Sequence, residues 1–196
     1  GGAERQVVSC LSGLMEDRDF QDTQLYCHSI SGSSRHVETY EPEVRSLGVP
    51  ICEFGKRVDW NAGIKDAEVL LKPWKQYLEK LPQVMQRDIE PLFLNFYYEK
   101  PQIVHAWQDQ TNINASIAAL MAGVPGIVMF ARSLRPDGKT MMHIRNRPYL
   151  RRAYQTLFDH APRVLLCHNS SAGATSYSEW TGYSEDDFEI IHNGVD

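Results

Sequence analysis

Two short segments, Leu47-Gly48-Val49-Pro50 and Ala122-Gly123-Val124-Pro125, punctuate this chain where helical periodicity gives way to apolar runs. Glycine takes the left-handed cap that ends a helix, and proline just beyond it blocks another helical turn. A strand is expected after each. Strands that alternate with helices through such short links pair in parallel, because each helix returns the chain to the same end of the sheet. The expected fold class is therefore α/β, a parallel sheet with helices on both faces. With 196 residues, 42% of them hydrophobic, the chain can bury one substantial core.

The remaining pattern fits that frame. Val7, Val8, Leu11, Leu14 and Met15 recur at helical spacing and predict an amphipathic helix over 3–17. Strands are expected at Thr23–Ile30, Val49–Phe54, Ile103–Trp107, Gly126–Ala131, Val164–Cys167 and Phe188–Ile191. Helices are expected over 38–47, 111–122, 145–160 and 170–180, with two more in 63–98 split near Pro82 or Pro91. The opening Gly1-Gly2 pair has no strand before it, although a glycine pair running into a helix normally follows one. The chain is accordingly expected to be a piece of a larger protein, with residues 1–192 forming one domain and 193–196 starting a linker.

Bulk properties exclude several classes. A net charge of −5 gives no overall electrostatic footprint for nucleic acid. Cys10, Cys27, Cys52 and Cys167 are widely spaced and form no CxxC pair, which argues for buried, reduced thiols, a cytoplasmic setting and no structural zinc. The longest uncharged apolar stretch, 117–131, is broken by Gly123-Val124-Pro125-Gly126 and is too short to span a bilayer. Walker A, Gly-x-Ser-x-Gly and His-Glu-x-x-His sequences are absent.

In open parallel sheets, ligands gather at the carboxyl ends of the strands. That rule selects the loops at Gly1-Gly2, 31–34, 107–112, 132–140 and 168–171. Gly1 and Gly2 would let a phosphate or sugar approach the backbone at a helix N-terminus. The cluster Gln108, Asp109, Gln110, Thr111 and Asn112 has two readings, ligand contact or capping of the next helix by Thr111 or Asn112. His105 and Trp107 alternate with apolar neighbours on the strand before it, where a histidine is more often a core residue than a catalyst. Arg132, Arg135, Lys139, Arg145, Arg147, Arg151 and Arg152 stand against a single acid, Asp137, and suggest an anionic partner. Arg132, Ser133 and Arg135 directly follow a buried strand, whereas Arg151 and Arg152 fit a solvated helix face. No aromatic residues interleave this basic run as single-stranded nucleic acid would require. Ser170 or Ser171 should cap the helix after Val164–Cys167.

Gly1-Gly2-Ala3-Glu4-Arg5, Pro101-Gln102-Ile103-Val104-His105-Ala106-Trp107, Ala122-Gly123-Val124-Pro125 and Asn193-Gly194-Val195-Asp196 occur in order at sensible intervals. In this the chain resembles the N-terminal, acceptor-side domain of retaining family-4-type GT-B glycosyltransferases, bacterial enzymes that often build lipopolysaccharide, capsule or exopolysaccharide. The resemblance covers nearly the whole chain and implies half of a GT-B fold, a Rossmann-like domain lacking its first strand. It implies transfer of a sugar from a nucleotide-diphosphate donor, held mostly by an absent C-terminal domain, to a glycan or lipid-linked acceptor. Gly1 and Gly2 would lie near the donor's phosphates or sugar, and His105, Trp107, Gln108, Asn112, Ser133 and Arg135 would face the acceptor. Many relatives place a histidine where this chain reads Ala131-Arg132-Ser133, so Arg132 becomes the catalytic candidate, stabilising the departing phosphate rather than moving a proton.

No metal or cofactor is expected, on the reading that no Asp-x-Asp motif coordinates the diphosphate; Asp186-Asp187 lies in a late loop without the spacing. The basic region would face an anionic acceptor or the inner membrane surface, giving a cytoplasmic, peripheral protein. Two rivals remain: a sugar-nucleotide epimerase of the same fold, which needs acidic groups in its cleft, and a non-catalytic binding module.

Overall fold

The computed structural model describes residues 2–20, 22–30, 40–54, 66–137 and 147–194. The chain divides into two compact units, one formed by residues 1–65 with 193–196 and the other by residues 66–192.

In the first unit, α1 (Gly2–Glu16) is followed by β1 (Leu25–Cys27), α2 (Glu41–Ser46) and β2 (Ile51–Glu53). β1 and β2 pair in parallel, with Tyr26 opposite Cys52. The predicted stripe on α1 is used: Leu11 joins Ile30, Val44 and Val49 in a small core, with Val7, Val8 and Met15 packed around it. Glu53 ties the strand ends together, its carboxylate accepting from the Ile30 N–H at 2.7 Å and the Ser29 hydroxyl at 3.2 Å. Both strands are shorter than the apolar runs that predicted them.

The second unit begins with α3 (Ala67–Leu71), α4 (Lys75–Leu78) and α5 (Gln83–Glu99). A two-helix division was expected here. Pro73 falls between α3 and α4, and Pro82 takes the N-cap position of α5. Pro91, by contrast, lies inside α5. The loss of one N–H there is tolerated in a helix whose buried side chains Met85, Ile89, Leu92, Phe93, Leu94 and Phe96 anchor it on both sides of the proline.

Four parallel strands follow in chain order: β3 (Ile103–Trp107), β4 (Gly126–Ala131), β5 (Val164–His168) and β6 (Glu189–Ile190). Between them run α6 (Asp109–Ala122), α7 (Tyr149–His160) and α8 (Ser171–Thr181). The architecture is the expected one, Rossmann-like parallel sheets flanked by helices. Helix α6 packs against α5, β3 and β4. Its small side chains Ala115, Ser116, Ala118 and Ala119 allow that burial on several sides at once.

Register decides which residues meet. Trp107 lies opposite Phe130, and Phe130 opposite Cys167; one step further, Ala131 lies opposite His168. The carboxyl ends of β3, β4 and β5 therefore finish side by side. Gly48 and Gly123 both adopt the left-handed conformation predicted for the repeated segments, with φ of 71° and 77°. Cys167 is buried, which pushes its thiol up to about 11, while Cys10, Cys27 and Cys52 are only half-buried rather than core residues.

Candidate functional site

Sequence reasoning pointed to the strand ends, and in the second unit an organised cluster lies there. Alternation along β3 buries Val104 and Ala106 and puts His105 and Trp107 on the opposite face. The register then stacks these rings against β4: His105 lies 5.1 Å from Trp107 and 5.7 Å from Phe130, with Trp107 5.1 Å from Phe130 between centroids. Arg132, two residues beyond Phe130, lays its guanidinium over this shelf, 4.5 Å from the Trp107 ring centroid and 4.9 Å from that of Phe130. A planar cation stacked over π faces is held in a fixed orientation. Packing within this cluster, reinforced by the Arg132 charge, lowers the His105 pKa to about 4. Its imidazole is neutral at pH 7, leaving Arg132 as the cation of the shelf.

The turn after β3 is strained. Gln108 has φ of 71° and ψ of 153°, a conformation that side chains other than glycine rarely adopt. It is pinned from both sides, its N–H donating to the Phe130 carbonyl at 3.2 Å and its carbonyl accepting from Asn112 N–H at 2.7 Å. Gln108 occupies the N-cap position of α6 without a side-chain cap, so neither Thr111 nor Asn112 caps this helix.

The next residue, Asp109, is 7% exposed, and its carboxylate oxygen accepts from two buried phenols, Tyr154 at 3.1 Å and Tyr177. Burial raises the Asp109 pKa, against the pull of these two hydrogen bonds. Burial likewise pushes both tyrosines well above their ordinary value. Asn112 is fully buried beneath, donating its amide N–H to the Tyr154 hydroxyl at 3.0 Å, while its carbonyl oxygen has no partner among the described residues. Gln110 is committed elsewhere: its carbonyl accepts from Arg147 at 3.1 Å and Tyr149 at 2.7 Å, and its amide donates to Asn114.

The third strand contributes His168, only 1% exposed. Its tautomer is set by two neighbours. The Ser170 N–H donates to Nδ1 at 3.3 Å, so Nε2 carries the proton and donates to the Ser133 carbonyl at 2.9 Å. Burial lowers the His168 pKa, which keeps the ring neutral. Ser170 caps α8 as expected, its hydroxyl accepting from the Gly173 N–H at 3.2 Å.

The structure thus brings His105, Trp107, Gln108, Arg132 and Ser133 together, with Asn112 below them. Arg135 sits at the edge, its side chain turned to Asp137 at 3.3 Å and Glu179 at 3.9 Å and its N–H bonded to Ser176. Gly2 is the first residue of α1 in the other unit, with open space where a side chain would begin. Gly1, the loop 31–34, Lys139 and Arg145 lie outside the described residues. Arg151 and Arg152 are exposed on α7. Sequence reasoning missed the support: Tyr154, Tyr177 and Gly173 read as ordinary helix residues, and only an acid directly after a strand, Asp109, signalled a buried polar anchor. Among the described residues no group of three His, Cys, Asp or Glu is placed to hold a metal ion, and no helix is long and apolar enough to cross a membrane.

No protein-family model matches the chain, and no solved structure matches it. Along its whole length, over 208 aligned residues, the chain is 28% identical to the Vi polysaccharide biosynthesis protein VipC/TviE of Salmonella typhi. It spans 34% of that protein's length. The chain is therefore a Rossmann-like α/β protein similar to one part of a polysaccharide biosynthesis protein.

Proposed function

We propose that this chain is the acceptor-side part of a retaining GT-B glycosyltransferase acting in bacterial surface polysaccharide synthesis. The observation that carries the reading is the Arg132 guanidinium held on the Trp107–Phe130 shelf at the strand ends. The similarity to a polysaccharide biosynthesis protein supports it. A hexosyl donor, a nucleotide diphosphate sugar, would be held mostly by a C-terminal domain following the 193–196 linker, with Gly1 and Gly2 near its phosphates. In the transfer, the bond from the anomeric carbon to the diphosphate oxygen breaks and the acceptor oxygen bonds to that carbon. The acceptor's proton leaves with the diphosphate. Negative charge grows on the leaving oxygen, and a fixed guanidinium stabilises that charge without moving a proton.

His105, with its pKa near 4, is too weak a base to hold the acceptor's proton at neutral pH; it orients hydroxyls by hydrogen bonding. Trp107 offers a ring face to the apolar side of a sugar, and Gln108 projects from the strained turn. Ser133 and Arg135 complete the acceptor side, while Asn112, expected there, is buried beneath it and supports the turn through Tyr154 instead. The acceptor is a glycan or lipid-linked glycan, and the exposed Arg151 and Arg152 face an anionic acceptor or the cytoplasmic surface of the inner membrane. The epimerase alternative gains no support from Asp109, whose carboxylate is taken by two tyrosines.

The test is sugar transfer by the full-length protein from a panel of nucleotide sugars, comparing wild type with Arg132→Ala. A loss of about 100-fold in kcat is expected for removal of one charge-stabilising group. Activity within twofold of wild type, or epimerised donor as the product, would overturn the reading.

A further inference from the structure

Local preference and tertiary bonding disagree over where α6 begins. Aspartate is among the residues best suited to cap a helix N-terminus, and glutamine is not. By propensity alone, Asp109 should stand just outside the helix as its N-cap. Instead Asp109 is the first residue of α6, and Gln108 takes the cap position with no side-chain cap bond. The strand-to-helix link after β5 shows the ordinary arrangement: Ser170 caps α8 with extended backbone, φ −161° and ψ 152°. Gln108 has nearly the same ψ, 153°, but φ of 71°.

What draws Asp109 into the helix is its carboxylate. Two buried phenols donate to it, Tyr154 of α7 at 3.1 Å and Tyr177 of α8. Neither phenol can follow a moving carboxylate. Both tyrosines are completely buried, with their rings packed edge-on to each other and to Trp180. The Tyr154 hydroxyl is also held by the Asn112 amide at 3.0 Å. On the strand side, the Gln108 N–H is bonded to the Phe130 carbonyl at the end of the β3–β4 ladder. Gln108 is left to turn the chain between these two fixed points, and the positive φ falls on it. We infer that Asp109 is a positioning residue: anchored on Tyr154 and Tyr177, it holds the Gln108 turn in its strained conformation and so sets where Gln108 stands beside Trp107. That Gln108 then meets an acceptor rests on the glycosyltransferase reading; the strained turn does not.

Removing both hydroxyls should release the turn. In Tyr154→Phe/Tyr177→Phe the rings stay, Asp109 is free to become the cap, and Gln108 relaxes to negative φ. Asp109→Ala removes the same anchor from the other side. Gln108→Gly reports the coupling, because glycine adopts positive φ without strain. It should raise the melting temperature of wild type by about 2–4 °C and that of either unanchored variant not at all.

The direct reading is the NMR cross-peak between the Gln108 N–H and its own Hα, in protein labelled at glutamine, because the two protons approach closely only at positive φ. The peak should be strong in wild type and weak in the double variant, with near-UV circular dichroism as the folding check. Asp109→Ala, or Tyr177→Phe alone, serves if the double variant does not fold. In sugar transfer by the full-length protein, the acceptor KM should rise about fivefold with little change in kcat, as in Gln108→Ala. A cross-peak that stays strong in a folded variant makes the phenol bonds structural only and overturns the inference. So does an acceptor KM within about twofold of wild type once the cross-peak is lost. If wild type transfers no sugar while the cross-peak and melting temperatures behave as stated, the positioning stands and the glycosyltransferase reading is what fails.

Discussion

The imidazole of His168 fills the space that any side chain on Gly173 would need: a Cβ built on Gly173 would lie 1.7 Å from the ring's Cε1. Neither residue is free to yield. The ring is fixed by Ser133 and Ser170, and the Gly173 N–H is held by the Ser170 cap. Gly173→Ala should therefore cost about 1–3 kcal/mol through overpacking, despite alanine's better helix propensity. Urea unfolding of the two proteins checks it, and an alanine variant as stable as wild type would place the ring elsewhere.

Asp109 accepts from two buried phenols, so replacing it by alanine strands both hydroxyls at about 1–3 kcal/mol each. Asparagine keeps an acceptor oxygen and should lose less. The pH dependence has a defined sign. Burial raises the folded-state pKa of Asp109, so its contribution is fully present below the unfolded value and is lost as pH rises through the folded one. The stability difference between wild type and Asp109→Asn should accordingly shrink as pH rises from the acid side.

The two histidines act in the opposite sense. His105 and His168 have lowered pKa values, so their share of stability is present above the unfolded histidine pKa and is lost as pH falls through the folded values, near 4 for His105. Replacing His168 by asparagine should lessen the loss of stability on acidification from neutral pH, as read from melting temperatures at each pH.

Gln108 stores strain. A residue in its conformation costs about 1–3 kcal/mol unless it is glycine, whose extra unfolded-state freedom recovers part of the difference. Gln108→Gly should raise stability while Gln108→Ala leaves the strain in place. A glycine variant less stable than the alanine one in thermal unfolding would contradict this.

Arg151 and Arg152 are exposed, whereas Arg147 bonds Gln110 and Arg135 faces two carboxylates. Charge reversal at 151 and 152 should leave stability nearly unchanged. If the basic face meets an anionic membrane, at about 1 kcal/mol per arginine, binding to anionic vesicles in a sedimentation assay should fall at least tenfold. Unchanged binding would remove the membrane from the list of partners.

Much of the fold was legible because its signals are local. The Gly-Val-Pro segments ended helices and began strands through backbone properties of glycine and proline alone, and the α1 stripe packed as its spacing required. Ser170 capped α8 for the same reason. The failures came where local signals compete. Pro91 stayed within a helix because the side chains around it are buried, and Asn112 became a core hydrogen bonder rather than a cap because the helix began earlier.

What the sequence determined by itself was an α/β chain with parallel strands, and the loops where polar groups would collect; periodicity and turn chemistry act over a few residues. Only the tertiary structure decided what those loops build. The register of β3 on β4 put Trp107 beside Phe130 and Arg132 above both, and the packing of α7 and α8 carried Tyr154 and Tyr177 onto Asp109, 45 and 68 residues away in sequence. Such contacts follow from burial and hydrogen-bond satisfaction among distant segments, which no window of sequence contains.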